Sequence, residues 1–192
     1  MKLLAHDLSK AFIATYTGKK FHLVNPRLED IDIQDIAHGL AMQCRWTGQC
    51  KFHYSIAQHS YYCSFIGPDK EAFNRLMHDS SEAYIGDMNR PLKYYTEAGD
   101  AYRRVEHPLQ KLIAERFGFA VVEPVSVKQA DNLMLYAEKN QIMNVPFEAS
   151  DFQCGGKIDT TPASITIERW SPEQAKKMFL DRFEELYSWR VN

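Results

Sequence analysis

The chain has 192 residues, 45% hydrophobic and 25% charged, with 23 Lys and Arg against 25 Asp and Glu for a formal net charge of −2. These are ordinary globular values that exclude a disordered or low-complexity chain, and without a basic excess there is no field for duplex DNA. No apolar run approaches the ~20 residues that span a bilayer, Met1-Lys2-Leu3-Leu4-Ala5-His6-Asp7 meets charge too soon for a secretory signal, and Cys44, Cys50, Cys63 and Cys154 lack CxxC spacing, so they read as reduced thiols of a cytoplasmic protein and not as a cysteine zinc site.

Leu3, Leu4, Leu8, Phe12 and Ile13 recur at helical spacing and predict a short amphipathic helix over 1–16. Thr17-Gly18-Lys19-Lys20 reads as a turn, and Phe21 to Val24 as a short extended piece closed by Asn25-Pro26. A helix over about 33–46 follows, with Asp32 and Asp35 at its positive end and Ile33, Ile36, Ala37, Leu40, Ala41 and Cys44 as its apolar stripe. His38 lies off that stripe and on its own reads as structural. Arg45-Trp46 closes the helix. The pair reads as a snorkelling arginine packed on an aromatic, although an arginine fork binds phosphate and an indole offers a face to a base or sugar. Ser55 with Gln58 three residues on predicts a capping box and a helix over about 56–66, placing His59 near its start.

Gly67-Pro68-Asp69 breaks the chain before a helix over about 69–85, which carries His78, Asp79 and Glu82 on one face. Three groups able to hold a metal or move a proton are costly to bury without a partner. Gly86-Asp87 ends this helix, and Met88 to Lys93 predicts a loop fixed by Pro91 that carries Arg90 and Lys93. A long helix over about 98–117 is expected to bend or split at Pro108 and to end at Gly118. The next helix, about 126–143, sets Asp131 among apolar residues, where an unpaired carboxylate costs several kcal/mol. Residues 144–163 read as irregular and 165–167 as extended. Ser171-Pro172 with Gln174 opens a last helix to about 188.

His59, His78-Asp79 and Asp131 thus come from three predicted helices. Two imidazoles and two carboxylates suit a divalent transition or borderline metal such as Mn, Fe, Co, Ni or Zn. Their order, His, His-Asp, Asp, carried by Ser55-Ile56-Ala57-Gln58-His59-Ser60, Leu76-Met77-His78-Asp79-Ser80-Ser81-Glu82-Ala83-Tyr84 and Lys128-Gln129-Ala130-Asp131, resembles the HD-domain metal-dependent phosphohydrolases. Gly86-Asp87, Arg90-Pro91-Leu92-Lys93 and Arg45-Trp46 are similar to the bacterial 5′-deoxynucleotidases of the YfbR type. The run from Thr17-Gly18-Lys19 through Ile36-Ala37-His38 to His59 looks most like compact phage HD proteins, which include dATP triphosphohydrolases of the DatZ type. The likeness covers about 15–140, and Gln58 departs from the glutamate common in the family.

The resemblance implies an all-α compact helical bundle, a single HD domain over 1–192 with at most a small extended segment near the N-terminus and a C-terminal loop and helix over 144–190. It implies metal ligands His59, His78, Asp79 and Asp131, Glu82 as catalytic acid or base, and substrate contacts at Arg45, Trp46, Lys93, Asp87 and His38. The cofactor is a divalent metal of Zn, Co or Mn type, with further Mg accompanying a triphosphate. Arg90, Lys93, Arg103, Arg104, Lys19 and Lys20 tilt the expectation toward a deoxynucleoside triphosphate, giving deoxynucleoside and triphosphate. The alternative is a 5′-deoxynucleotidase acting on monophosphates. A helical interaction protein has to treat five polar residues as coincidences, and the full acidic set, including Glu82, argues against a non-catalytic nucleotide- or metal-binding module. The remaining expectations are a small-molecule deoxynucleotide as partner, no duplex nucleic acid, no membrane, a homo-oligomer, and a cytoplasmic location (the host's, for a phage protein).

Overall fold

Short apolar stripes separated by strong caps produce a bundle of helices around one core. The computed structural model describes residues 8–144 and 165–191. Helices α1 (Ile33–Met42), α2 (Ile56–Cys63), α3 (Ala72–Met77), α4 (Glu82–Ile85), α5 (Arg90–Tyr95), α6 (Glu97–Phe117), α7 (Val125–Ile142) and α8 (Pro172–Val191) make it all-α. A two-stranded antiparallel ribbon, β1 (Ile13–Ala14) and β2 (Lys20–Phe21), pairs Ile13 with Phe21. Among the described residues no helix is long and apolar enough to cross a membrane.

The N-terminal helix expected over 1–16 is corrected where it is described; residues 1–7 lie outside the described range. Ile13 and Ala14 are extended because the chain turns back at Gly18 (φ +81°) and Asp35 of α1 accepts from the Thr17 amide (2.7 Å) and hydroxyl (2.9 Å). Helical spacing in a short segment loses to these longer-range bonds. Helix α1 begins as expected, with Asp32 accepting from the Gln34 amide at 2.9 Å, but stops before 46. Its successors turn to another partner: Cys44 bridges Ser55, and the Arg45 amide donates to Tyr54 O at 2.8 Å.

Ser55 caps α2 by accepting from the Gln58 amide at 3.1 Å. The Gln58 side chain does not close the capping box. It donates instead to Glu168 O at 2.8 Å and ties the C-terminal segment to α2. The expected loop at 88–93 is largely helix: Asn89 caps α5, and Pro91 sits in its first turn, where a missing amide hydrogen costs nothing. Helix α6 continues through Pro108 as one helix and ends, as expected, at Gly118 in the left-handed region (φ 71°, ψ 34°). Ser171 accepts from the Gln174 amide at 3.2 Å to open α8. Residues 165–167 form no strand; the Gln141 amide group holds them, donating to Ile165 O and accepting from the Ile167 amide.

The core joins Leu40, Ile56, Leu76, Leu109, Ile113, Met134 and Phe179. Helix α2 packs against α1, α3, α7 and α8, so a side chain on it reaches the centre of the bundle. Helix α1 lies so close to α4 that a Cβ at Gly39 would meet Ala83 O at 2.7 Å.

Candidate metal centre

The motif stretch was expected on one continuous helix, and the structure corrects this. Helix α3 ends at Met77, residues 78–81 form a turn, and α4 restarts at Glu82. Ser80 supplies part of the reason, since its hydroxyl donates to Met77 O at 2.8 Å and competes with the helical bond. Gln110 of α6 supplies the rest. Its amide nitrogen donates to Met77 O at 2.7 Å and its oxygen accepts from the Ser81 amide at 3.0 Å, so it takes the place of a peptide group across the break. Beyond Glu82 a second glutamine acts similarly: Gln43 donates to Glu82 O at 2.9 Å and accepts from the Asp87 amide at 3.0 Å. The four-residue helix carrying Glu82 is thereby clamped at both ends.

The turn brings His78 and Asp79 to the side chains of α2 and α7. His59 Nε2 lies 3.5 Å from Asp131 Oδ1 and 3.9 Å from Asp79 Oδ2. His78 Nε2 lies 3.1 Å from Asp79 Oδ2, and the two imidazole centroids are 5.3 Å apart. Each ring is anchored through its other nitrogen, His59 Nδ1 by Glu138 Oε1 at 2.6 Å and His78 Nδ1 by Arg75 O at 2.8 Å. That is the arrangement which points Nε2 of a metal-binding histidine inward. His78 Nε2 is buried and faces only the Asp79 carboxylate, without a well-formed hydrogen bond, a donor pair that a cation would complete. The residues present therefore fit a divalent ion held by nitrogen and oxygen, with one addition. Cys63, one turn beyond His59, puts Sγ 3.4 Å from His59 Nε2, and ligand atoms of His59, Cys63 and His78 lie within 4.8 Å of one another.

Charge divides the carboxyls into two kinds. Burial opposes ionisation of Asp79, but His78 beside it, with His59 and Arg45, holds it well below the usual carboxylate range. Burial likewise opposes ionisation of Asp131, and Lys128, then His59 and His78, hold it at about 2. Burial also acts to lower His78, yet Asp79 raises it to about 9. Glu82 goes the other way: burial first, then the charges of Asp79 and Asp87, push it well above the ordinary range. Burial pushes the Cys63 thiol up as well, so without a metal it keeps its proton.

Four of the five expected substrate contacts border this cluster. Arg45 donates from Nε to Glu138 Oε2 at 3.2 Å and turns Nη1 to within 3.7 Å of Asp79. Trp46 donates its indole N–H to the same Glu138 oxygen at 2.9 Å, from a turn in which Trp46 (φ 56°) and Thr47 (φ 52°) are both left-handed, an uncommon strain for side chains with a Cβ. Lys93 pairs with Glu106 at 2.6 Å and lies 3.9 Å from Glu82. Asp87 is exposed at the end of α4. His38 is not brought to the cluster; its ring stacks on Tyr16 at 4.0 Å and lines a groove between α1 and α8.

No protein-family model matches the chain. The YfdR protein of Escherichia coli K12, whose name gives no activity, is 34% identical over 178 residues, covering 92% of this chain and 96% of that one. The chain belongs to the YfdR family. An uncharacterised protein of Rhodobacter capsulatus is 28% identical over 192 residues, covering 93% and 97% of the two chains. A 5′-deoxynucleotidase of Pasteurella multocida is 27% identical over 100 residues, covering 44% of this chain and 51% of that enzyme.

In this YfdR-family chain, sequence reasoning missed Glu138, Cys63, Gln110 and Gln43. Two of them leave a trace in the spacing. Glu138 follows Asp131 by two helical turns and Cys63 follows His59 by one, so each shares a face with an expected ligand. The glutamines leave none, because their partners are backbone groups far away in sequence.

Proposed function

We propose that this YfdR-family protein is a metal-dependent phosphohydrolase of the HD-domain class that cleaves the 5′ phosphoester of a deoxynucleoside monophosphate. The carrying observation is the convergence of His59, His78-Asp79 and Asp131 from α2, the α3–α4 turn and α7, beside a Glu82 carboxyl whose proton affinity burial raises. The partial likeness to a 5′-deoxynucleotidase supports the same class.

His59, His78, Asp79 and Asp131 would hold the ion, with Cys63 beside them. A bound divalent ion supplies Lewis acidity, drawing charge from phosphoryl oxygens and acidifying water. The chain's own groups do the rest. Arg45 and Lys93 border the ligand cluster and offset the charge of the phosphate. Trp46 has its N–H engaged by Glu138, and its ring offers a face to the sugar or base. Water oxygen adds to phosphorus, the bond from phosphorus to the 5′ oxygen breaks, Glu82 gives its proton to that leaving oxygen and takes one back from the added water, whose other proton stays on the phosphate. The products are a deoxynucleoside and orthophosphate. Asp87 closes the rim. His38 has no part in this reading because its ring is engaged by Tyr16.

The triphosphate expected from the sequence needs positive charge beyond the first phosphate. Of the cations counted toward it, Lys93 borders the cluster and the other five are engaged or placed elsewhere: Arg103 bonds Lys93 O and Asp100, Arg90 lies over Tyr94, Lys19 pairs with Asp32 and Lys20 lies over Phe12, while Arg104 lines a separate groove with Leu23 and Pro26. This favours the monophosphate. The test is metal analysis of the purified protein followed by product analysis on four deoxynucleotides at both phosphorylation levels. Orthophosphate from a monophosphate is the expected result, and tripolyphosphate from a triphosphate would restore the other substrate. A protein with neither metal nor turnover would be a non-catalytic module, and the proposal would fall. The same preparation tests homo-oligomer formation by light scattering.

A further inference from the structure

We propose that Glu138 is a positioning residue which holds the first histidine ligand with one carboxylate oxygen and the Arg45–Trp46 turn with the other, coupling metal binding to nucleotide binding. The inference rests on the metal-dependent reading above.

Glu138 is wholly buried on α7. Its Oε1 faces His59 Nδ1 at 2.6 Å, while its Oε2 accepts from Arg45 Nε at 3.2 Å and Trp46 Nε1 at 2.9 Å. Arg45 and Trp46 offer only N–H groups, and a carboxylate beside that guanidinium can only accept through both oxygens, so the nitrogen facing Oε1, His59 Nδ1, has to be the donor. Glutamine has one accepting oxygen and an NH2 group. Whichever way it is turned, it sets donor against donor on the histidine side or on the Arg45–Trp46 side. The arrangement also sets the His59 tautomer. Nδ1 carries the proton toward Glu138, and Nε2 presents its lone pair toward Asp131, Asp79 and Cys63. On the other side, Glu138 is the anchor of a turn whose left-handed residues, Trp46 and Thr47, need outside support. One side chain thus reaches a ligand of the candidate metal centre and two groups assigned to the nucleotide.

A purely structural ion pair between Arg45 and α7 would predict something different: loss of stability, with the metal affinity of the folded protein unchanged. The test compares wild type, Glu138→Gln and Trp46→Phe after chelator stripping, using calorimetric titration with Co²⁺ or Mn²⁺ and steady-state kinetics on a deoxynucleoside monophosphate at saturating metal. Glu138→Gln is expected to bind metal about 10–100-fold more weakly and to raise KM for the nucleotide even when the metal site is full. Trp46→Phe, which removes one donor and leaves the carboxylate, is expected to raise KM while leaving metal affinity alone. If folded Glu138→Gln binds metal as wild type does, the assignment is overturned. Should that variant not fold, nitrogen NMR of ¹⁵N-histidine in the metal-free wild type decides, with the His59 signal assigned by its loss in His59→Gln. Protonated Nδ1 is expected, and protonated Nε2 overturns the proposal. A wild type that takes up neither ion overturns the metal-dependent reading itself, whereas a metal-binding wild type matched by Glu138→Gln overturns the Glu138 assignment alone.

Discussion

At the scale of single residues, the centre separates two tasks that look alike in sequence. His78, Asp79 and Glu82 are three polar groups within five positions, yet Asp79 is pushed below the usual carboxylate range by His78 while Glu82 is pushed above it by burial and by Asp79. Opposite shifts of neighbouring carboxyls are what suit one to be a ligand and the other an acid. Glu82→Gln is therefore expected to keep the metal and lower kcat by about 10²–10⁴-fold. His78→Ala should lose metal and activity together, and metal analysis beside initial rates distinguishes the two outcomes. A Glu82→Gln variant with full turnover would remove Glu82 from the reaction. Apparent metal affinity should also rise with pH over the neutral range. Metal-free His78 holds its proton up to about 9, so an ion must displace that proton, and raising the pH removes the competitor. Calorimetry in buffers of different ionisation enthalpy should show the proton released.

At the scale of elements, caps and breaks decide where the chemistry sits. Asp32 caps α1, and although burial pulls the other way, the Gln34 amide and Lys19 hold its carboxyl below the usual range. A carboxyl depressed in the folded state contributes stability above its unfolded pKa, and that contribution is lost as pH falls through the folded value. Asp32→Ala should cost about 1 kcal/mol at neutral pH, and the difference from wild type should shrink in acid, as read by denaturant melts across pH. The break between α3 and α4 belongs to Gln110. Gln110→Leu leaves Met77 O without this donor and the Ser81 amide without its acceptor, so it should cost about 1–3 kcal/mol. It should also weaken metal binding together with turnover, because the turn that Gln110 spans carries His78 and Asp79 and leads into Glu82. The Ser55, Ser171 and Gly118 caps were legible because a cap is a local bond. The early end of α1 and the turn at 78–81 were not, since residues distant in sequence impose both.

At the scale of the whole molecule, α2 is the spine. It touches α1, α3, α7 and α8, which is why His59 is fully buried and why one imidazole faces groups from both the α3–α4 turn and α7. Helix α8, beyond the reach of the family resemblance, covers α1, α2 and α3 with Phe179 and Phe183 in the core. Phe179→Ala should cost about 3–5 kcal/mol, measured by thermal unfolding, because a cavity opens where three helices meet. A divalent ion that binds only the folded chain should raise stability by about 2.7 kcal/mol at a hundred times its Kd, and excess chelator should reverse the shift in Tm.

Residue type and spacing by themselves determined the helical class, most helix starts, and the candidate ligands His59, His78, Asp79 and Asp131, because caps, apolar periods and metal-binding side chains are local signals. Only the tertiary structure decided which nitrogen of each histidine faces inward, which carboxyl is pushed above its ordinary range, and that Glu138, Cys63, Gln110 and Gln43 border the candidate site. Those properties depend on burial and on bonds between distant segments, such as Glu138 on α7 with His59 on α2, and a linear pattern carries neither. The fold also moved His78 and Asp79 off a continuous helix into a turn, where a long-range glutamine could replace two helical bonds.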